Sequence, residues 1–238
     1  YDRFVNQGAV MGDSFGLENV LWFANNKEDA HEEPTIKRSR SHDYVSKEVI
    51  NVRENVGLIE VANFSKHEFK GPDARKFLDH IMAGRLPKPG RISLSPMLSY
   101  RGKLCGDLTV ACLDENEFMV FGSGAAQEMH RRWFESHLDK FNLSYSNRSD
   151  EYHGLSIAGP NSRKVLEKIV RDDVSNEKFK FRDSRRMFVG GVPAIINRIS
   201  FTGELGYEIY VAPHYQLKLY EELMEAGKEF NIKPFGGR

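Results

Sequence analysis

The chain has 238 residues, and its 34 lysine and arginine residues are balanced by 34 aspartate and glutamate residues. This length suits one large domain or two closely packed ones. Zero net charge argues against a general nucleic-acid-binding protein, which normally carries a basic excess. The most apolar short run, Val20–Ala24, is far too short to span a membrane. The sequence contains no CxxC pair and no HxxxH cluster, so it predicts no metal site.

Residues 1–50 are predicted to be an irregular segment followed by a polar loop. The beginning is rich in aromatic residues and glycine, Phe15 and Trp22 among them, without clear helix or strand periodicity. The basic run Lys37–Arg40 is expected to lie in an exposed loop, and a contact from it to a phosphate is the alternative. Val45–Val52 is predicted to be a short helix.

Residues 51–150 and 151–238 are predicted to form two halves with one order of elements: strand, helix, hairpin strands, helix. The first half comprises a strand Gly57–Phe64, a loop from Ser65 to His67, a helix from Pro72, hairpin strands Ile92–Tyr100 and Gly106–Cys112, a strand Glu117–Phe121 and a helix Ala125–Phe141. The second comprises strands Leu155–Ala158, Arg185–Val189, Val192–Ile199 and Gly206–Val211 and helices Pro160–Val170 and Pro213–Phe230. Hairpin strands covered by helices on one side make an α+β layered fold.

Glu208 is an unusual residue within one of these strands. In Gly206–Val211, Tyr207, Ile209 and Val211 alternate with Glu208 and Tyr210, as expected for a strand with two different faces. A carboxylate inside a strand that otherwise resembles core is costly unless a partner or a ligand pairs with it.

Two pairs of similar segments indicate an internal duplication. Tyr100–Ala111 matches Phe201–Ala212 without a gap, which aligns Asp107 with Glu208, and the helix that begins at Gly71 matches the one that begins at Gly159. Hairpins related by such a symmetry could aim both carboxylates into one shared cleft. The alternative is that both are surface carboxylates on duplicated strands.

At these residues the chain resembles the glycine cleavage T protein superfamily, including the folate domains of dimethylglycine and sarcosine dehydrogenases. The resemblance is carried by SFTGELGYE at Ser200–Glu208, by LSPMLSYRGKLCGDLTV at Leu94–Val110, and by GLIEV and GPDA at Gly57–Val61 and Gly71–Ala74. Val10–Phe23 is similar to the segment that follows the flavin domain in the dimethylglycine dehydrogenase branch.

The resemblance implies a fold of two ferredoxin-like halves around a folate channel, with the family's C-terminal β-barrel expected to be absent after Arg238. It implies transfer of a one-carbon unit from a methylated amine, such as dimethylglycine or sarcosine, to tetrahydrofolate, giving 5,10-methylene-tetrahydrofolate. Asp107 matches the catalytic aspartate and Glu208 the glutamate that accepts hydrogen bonds from the pterin. The further residues that the resemblance assigns to folate binding are Arg238, Phe201, Tyr100 and Met97.

Several departures and alternatives bear on this interpretation. Phe201 stands where the family often has tyrosine, so a tyrosine-type hydrogen bond to the ligand is lost. No GxGxxG follows a strand, so FAD is expected only if the full-length protein has a separate flavin domain or subunit. A folate-dependent demethylase with another methyl donor, or a folate-binding module without transfer activity, are the competing functions.

The expected partners are a small-molecule amine donor and a flavin domain or subunit, with no nucleic acid and no membrane. The expected location is the cytoplasm, or the mitochondrial matrix if the source is eukaryotic.

Overall fold

The computed structural model describes residues 1–14 and 16–238, and Phe15, named above, lies outside them. The helices are α1 Asp2–Asn6, α2 Ser41–Glu54, α3 Ala74–Ile81, α4 Gln127–Glu135, α5 Ser162–Ile169 and α6 Gln216–Gly227. The strands are β1 Ala9–Ser14, β2 Leu17–Phe23, β3 Val56–Glu60, β4 Phe64–Lys70, β5 Arg91–Leu98, β6 Leu104–Asp114, β7 Glu117–Ser123, β8 Ser144–Asn147, β9 His153–Ala158, β10 Ser184–Val189, β11 Val192–Asn197, β12 Gly206–Val211 and β13 Ile232–Pro234. Within the described ranges, no helix has the length and apolar content needed to cross a bilayer.

Two large sheets form the centre of the fold. The first has the strand order β5-β6-β7-β4-β8 and the second the order β10-β11-β12-β9-β3-β13. Neighbouring strands are antiparallel except β13, which runs parallel to β3. The predicted α+β layered fold is therefore confirmed.

The alternation of side chains along the strands gives each sheet a helix face and an inner face. On the first sheet, Leu108 and Val110 pack under α3 and α4. On the second, Tyr207 and Ile209 pack under α5 and α6. The inner faces meet through a smaller apolar core, which includes Phe121 of one sheet and residues of the other. The layers are thus helix, sheet, sheet, helix, and a cleft opens between the sheets where this inner core ends.

The N-terminal segment is more regular than its composition predicts. It contains α1 and the antiparallel hairpin β1–β2. Trp22 is fully buried, and its indole N–H donates to Glu32 at 2.6 Å. Gly12 leaves room for the Leu21 side chain, since a Cβ there would stand 2.7 Å from it. The glycine and aromatic content that obscured the strand pattern thus serves close packing of the hairpin.

Strand β4 covers the segment Ser65–His67, which was predicted to be a loop. Lys66, His67 and Glu68 are all buried, in a strand with neighbours on both sides. A hydropathy pattern does not predict this strand, because three successive residues are polar. Their burial is tolerated because residues from distant segments of the chain pair with them. One example is Arg148, which lies 4.0 Å from Glu68.

The similar segments that begin at Gly71 and Gly159 are equivalent in the structure. Both glycines have a positive φ, 135° and 130° respectively. Both carbonyl oxygens accept a 3.0 Å hydrogen bond from the backbone three residues on, and each turn leads into a helix, α3 or α5.

The alignment of Tyr100–Ala111 with Phe201–Ala212 is wrong in structural terms. Strand β12 lies between β11 and β9 and precedes α6, whereas its topological counterpart β7 lies between β6 and β4 and precedes α4. Asp107, on β6, and Glu208, on β12, therefore do not occupy equivalent positions. What the two segments share in structure is a turn with a positive-φ glycine before the strand, Gly102 at 71° and Gly203 at 82°.

One strand of the first half belongs to the second sheet. Residues of β3 fall in the range 51–150, yet β3 pairs with β9 and β13 in the second sheet. The second sheet is therefore not contiguous in sequence, and the cleft between the sheets is built from both halves.

Candidate functional site

Two adjoining cavities occupy the cleft between the sheets. The smaller, about 550 Å³, is lined by Asp107 and Tyr210 among others. The larger, about 1040 Å³, extends past β3 and β9 toward α2 and the C-terminal residues. Glu208 and Phe201 line both cavities. The two predicted carboxylates, Asp107 and Glu208, therefore face a common cavity although their strands are not equivalent.

Glu208 lies in the middle of the second sheet. Its neighbours across the strands are Asn197 of β11 and Ser156 of β9, and its side chain is only 9% exposed. The Tyr210 hydroxyl donates a 2.9 Å hydrogen bond to Oε2. Burial raises the pKa of the Glu208 carboxyl to about 7, and the bond from Tyr210 opposes this rise. Among the described residues no side chain or backbone group bonds Oε1, so this oxygen can accept a hydrogen bond from a ligand.

Asp107 lies in a more open environment. It is exposed on β6, opposite Pro96 of the edge strand β5. Proline is tolerated there because an edge strand does not need every N–H for pairing. No hydrogen bond or ion pair to Asp107 is found in the described part of the chain, so its carboxylate is available to a bound molecule.

Phe201 and Arg238 lie at the margins of the cleft. The Phe201 ring, in the turn before β12, is 92% exposed beside both cavities. Arg238 lines the larger cavity, where its guanidinium pairs with Glu32 at 2.5 Å and its backbone N–H donates to the Leu21 oxygen at 3.1 Å. The charge of Arg238 is therefore engaged within the protein.

Two of the predicted folate contacts lie elsewhere. Met97 is fully buried in the core beneath the helices of the first sheet, because strand alternation turns it away from the cleft. Tyr100 is 87% exposed in the β5–β6 turn, with the Arg101 guanidinium 5.5 Å from its ring centroid. Neither residue lines the two cavities, so both are removed from the candidate site.

The structure adds residues that the motifs did not indicate. Tyr210 could have been found, because alternation places it on the same face as Glu208. The sequence did not indicate a set of three hydrogen-bonded polar residues. In this set the Gln216 amide donates to Glu60 at 2.6 Å, and its oxygen lies 2.8 Å from the His153 Nδ1. Glu60 and His153 line the larger cavity, and the three residues come from β3, β9 and α6.

Comparison with known proteins identifies the class that this fold and cleft define. The structure resembles the glycine cleavage system aminomethyltransferase T from Bartonella henselae, with a TM-score of 0.80 and 21% identity, over 99% of this chain and 58% of that one. The fold is thus an aminomethyltransferase-type fold. The model of the GCVT N-terminal domain matches residues 1–238, and the chain belongs to that family. The resemblance predicted from the sequence is confirmed.

Among curated relatives, the mitochondrial dimethylglycine dehydrogenase of Mus musculus is 35% identical over 229 residues, which are 95% of this chain and 26% of that protein. The sarcosine oxidase subunit alpha of Rhizobium meliloti (strain 1021) is 32% identical over 244 residues, covering 99% of this chain and 24% of that subunit. The chain thus spans about a quarter of the length of these relatives.

Proposed function

We propose that this chain binds tetrahydrofolate in the cleft and uses it to accept a one-carbon unit from a methylated amine. The observation that carries the proposal is that Asp107 and Glu208 line one cavity while lying in opposite environments, one exposed and one buried. A buried carboxylate held by a neighbouring hydroxyl suits ligand recognition, and an exposed one places a negative charge in the cavity beside the bound reactants.

The residues of the cleft fit a reduced folate. Glu208 offers an acceptor oxygen of the kind that ring N–H and amino groups need. In the part of the chain that the structure describes, no positive side chain bonds to this carboxylate, and its one hydrogen bond comes from Tyr210. The Phe201 ring is exposed for stacking on a flat heterocycle. Ligand sites typically occupy about 300–1,000 Å³, and the two cavities are of this order.

When bound, tetrahydrofolate would supply the nucleophilic nitrogen that takes up the carbon. The contribution of Asp107 is a negative charge in the cavity, which attracts a cationic amine donor and can accept a proton from it. Glu208 contributes orientation: with one oxygen held by Tyr210, the other is free to accept hydrogen bonds from the ligand. The walls formed by the sheets leave this residue only 9% exposed.

The amine donor is proposed to be dimethylglycine or sarcosine, as the names of two relatives suggest. In that case the oxidation would occur on a flavin domain or subunit with FAD, and this chain would capture the released carbon. The cytoplasmic or mitochondrial location remains a prediction. A folate-dependent demethylase acting on another methyl donor differs only on the donor side, so a panel of amine, sulfonium and methoxy donors would separate the two.

The first test is calorimetric titration of the purified chain with 5-formyl-tetrahydrofolate. Glu208→Ala should weaken binding about ten- to a hundred-fold, because losing a charge-assisted hydrogen bond costs about 1.5–3 kcal/mol. Glu167→Ala, which removes an exposed carboxylate on α5, is the matched control and should bind as the parent does. Absence of binding by the folded parent would refute the proposed function.

A further inference from the structure

Tyr210 and Glu208 form an isolated pair on the inner face of β12. The Tyr210 side chain is 1% exposed, and the hydroxyl donates to Oε2 of Glu208 at 2.9 Å. Within the described residues this is the only hydrogen bond of either side chain. Every other polar contact available to the carboxylate must therefore come from the cavities.

The Tyr210 ring is held by packing on several sides. Phe121 of the opposite sheet stacks on it, with ring centroids 4.5 Å apart and planes inclined by 27°. Gly154 of β9 lies directly across from Tyr210, and a Cβ at that glycine would stand 2.7 Å from the ring. The buried Lys66 ammonium lies 6.0 Å from the ring centroid. A ring confined in this way can present its hydroxyl in only a narrow range of positions.

We propose that Tyr210 is a positioning residue for Glu208: its hydroxyl holds one carboxylate oxygen so that the other faces the ligand. This rests on the proposed function for the identity of the ligand, but the positioning itself concerns residues of this chain. The donated hydrogen bond also favours the ionised carboxylate, which is the form that accepts hydrogen bonds from a ligand.

Other titratable and charged groups surround the pair. Asp107 of β6 faces Glu208 across the smaller cavity, and Glu60 of β3 and His153 of β9 lie along the larger one. The far side of the larger cavity carries Glu48 and Arg53 of α2 and, at its margin, Arg238. Lys66 lies against the tyrosine ring. A test must therefore separate titration of Glu208 from titration of these groups.

The test compares Tyr210→Phe with the parent by two measurements. The first is a ¹³C titration of the glutamate carboxyl groups, in which the Glu208 signal is assigned by its loss in Glu208→Gln. The second is the affinity for 5-formyl-tetrahydrofolate as a function of pH. Tyr207→Phe is the matched control, because it also removes a buried hydroxyl from β12, but on the helix face, where the hydroxyl accepts from Arg163 Nε at 3.1 Å.

In Tyr210→Phe the Glu208 titration should move upward by about one to two pH units, since a hydrogen bond to the charged form is lost. Folate affinity should fall at pH 7 by about five- to fifty-fold through the smaller ionised fraction of Glu208, and by more if the oxygen is no longer held in place. Near about pH 9.5 the ionised form returns, so affinity should recover in part and keep the loss that comes from positioning. Tyr207→Phe should leave both profiles in place, and Tyr210→Phe should add nothing in a Glu208→Gln background.

An unchanged Glu208 titration in Tyr210→Phe would overturn the proposal, as would a folate affinity that returns fully to the parent value at high pH, because the tyrosine would then act on the charge of Glu208 alone. If the parent does not bind the folate, the proposed function fails by itself. The carboxyl titration still decides the role of Tyr210, because that measurement needs no ligand.

Discussion

At the scale of single residues, burial differentiates two carboxylates that share a cavity. Glu208 is 9% exposed with a hydroxyl donor on one oxygen, whereas Asp107 is exposed and free of partners among the described residues. Environments that differ in this way assign different roles to chemically similar groups. The same contrast predicts that replacing Glu208 will affect ligand binding and that replacing Asp107 will affect the transfer step.

Asp107→Asn should lower the rate of one-carbon transfer by about 100-fold or more while 5-formyl-tetrahydrofolate binding changes little. The amide keeps the size of the side chain but can neither carry the negative charge nor accept a proton, contributions typically worth about 10²–10⁴-fold. The rate is measured as formation of 5,10-methylene-tetrahydrofolate by the full-length protein. Asp114→Asn, at the far end of β6, is the control. Equal activity of Asp107→Asn and the parent would rule out this role.

At the scale of secondary-structure elements, β4 shows how a polar sequence can form a buried strand. His67 on β4 packs edge-on against Phe134 of α4, with ring centroids 5.0 Å apart, and its Nδ1 lies 2.9 Å from the Tyr145 hydroxyl. Within the described residues, His67 Nε2 and the nearby His130 Nδ1 are buried without partners. A positive charge at this place is therefore poorly solvated.

Acid should consequently destabilise the fold through His67. Burial lowers the pKa of His67 to about 4 from an ordinary value of 6.5, so the unfolded chain binds more protons between these pH values. Stability from this group is full above pH 6.5 and falls as the pH drops toward 4, by about 3 kcal/mol. The measurement is the free energy of unfolding in urea at pH 7 and pH 4.5.

In His67→Gln the loss of stability between these two pH values should be smaller by about 2–3 kcal/mol. The exposed His214→Gln should behave as the parent. Glu208 contributes the opposite slope, because its raised pKa favours the folded state below pH 4.5 and this stability is lost as the pH rises through 7. Only the difference between variants therefore reports on His67, and identical slopes would contradict the prediction.

At the scale of the whole molecule, the two sheets are joined by a core much smaller than those beneath the helices. The stacked pair of Phe121 and Tyr210 is part of that core and also borders the cavity. Packing between the sheets and the geometry of the site therefore depend on the same residues.

Gly154→Ala should lower the free energy of unfolding by about 1–3 kcal/mol, the usual cost of an added methyl group in a close-packed interior. Its Cβ would stand 2.7 Å from the Tyr210 ring and 2.8 Å from Val61. Gly237→Ala is the control, since its Cβ would find an ordinary 3.6 Å contact. Urea denaturation of the three proteins measures the effect, and an unchanged Gly154→Ala would show that the ring moves freely.

The sequence by itself determined the α+β class and most of the strand and helix positions. These features follow from local patterns: alternation identifies β12 to the residue, and turn glycines mark the start of α3 and α5. The sequence also identified the family, because its motifs are short and continuous in sequence, and through those motifs it identified Asp107 and Glu208, which both line the smaller cavity.

Only the tertiary structure decided which similar elements are equivalent and which residues reach the cleft. The placement of β3 in the second sheet, the burial of polar β4, and the exclusion of Met97 and Tyr100 depend on strand neighbours far away in sequence. The pairing of Tyr210 with Glu208 depends likewise on Phe121 and Gly154, which hold the ring from another sheet and another strand. A local pattern specifies the faces of a strand, but the partner of each face is selected by packing of the whole chain.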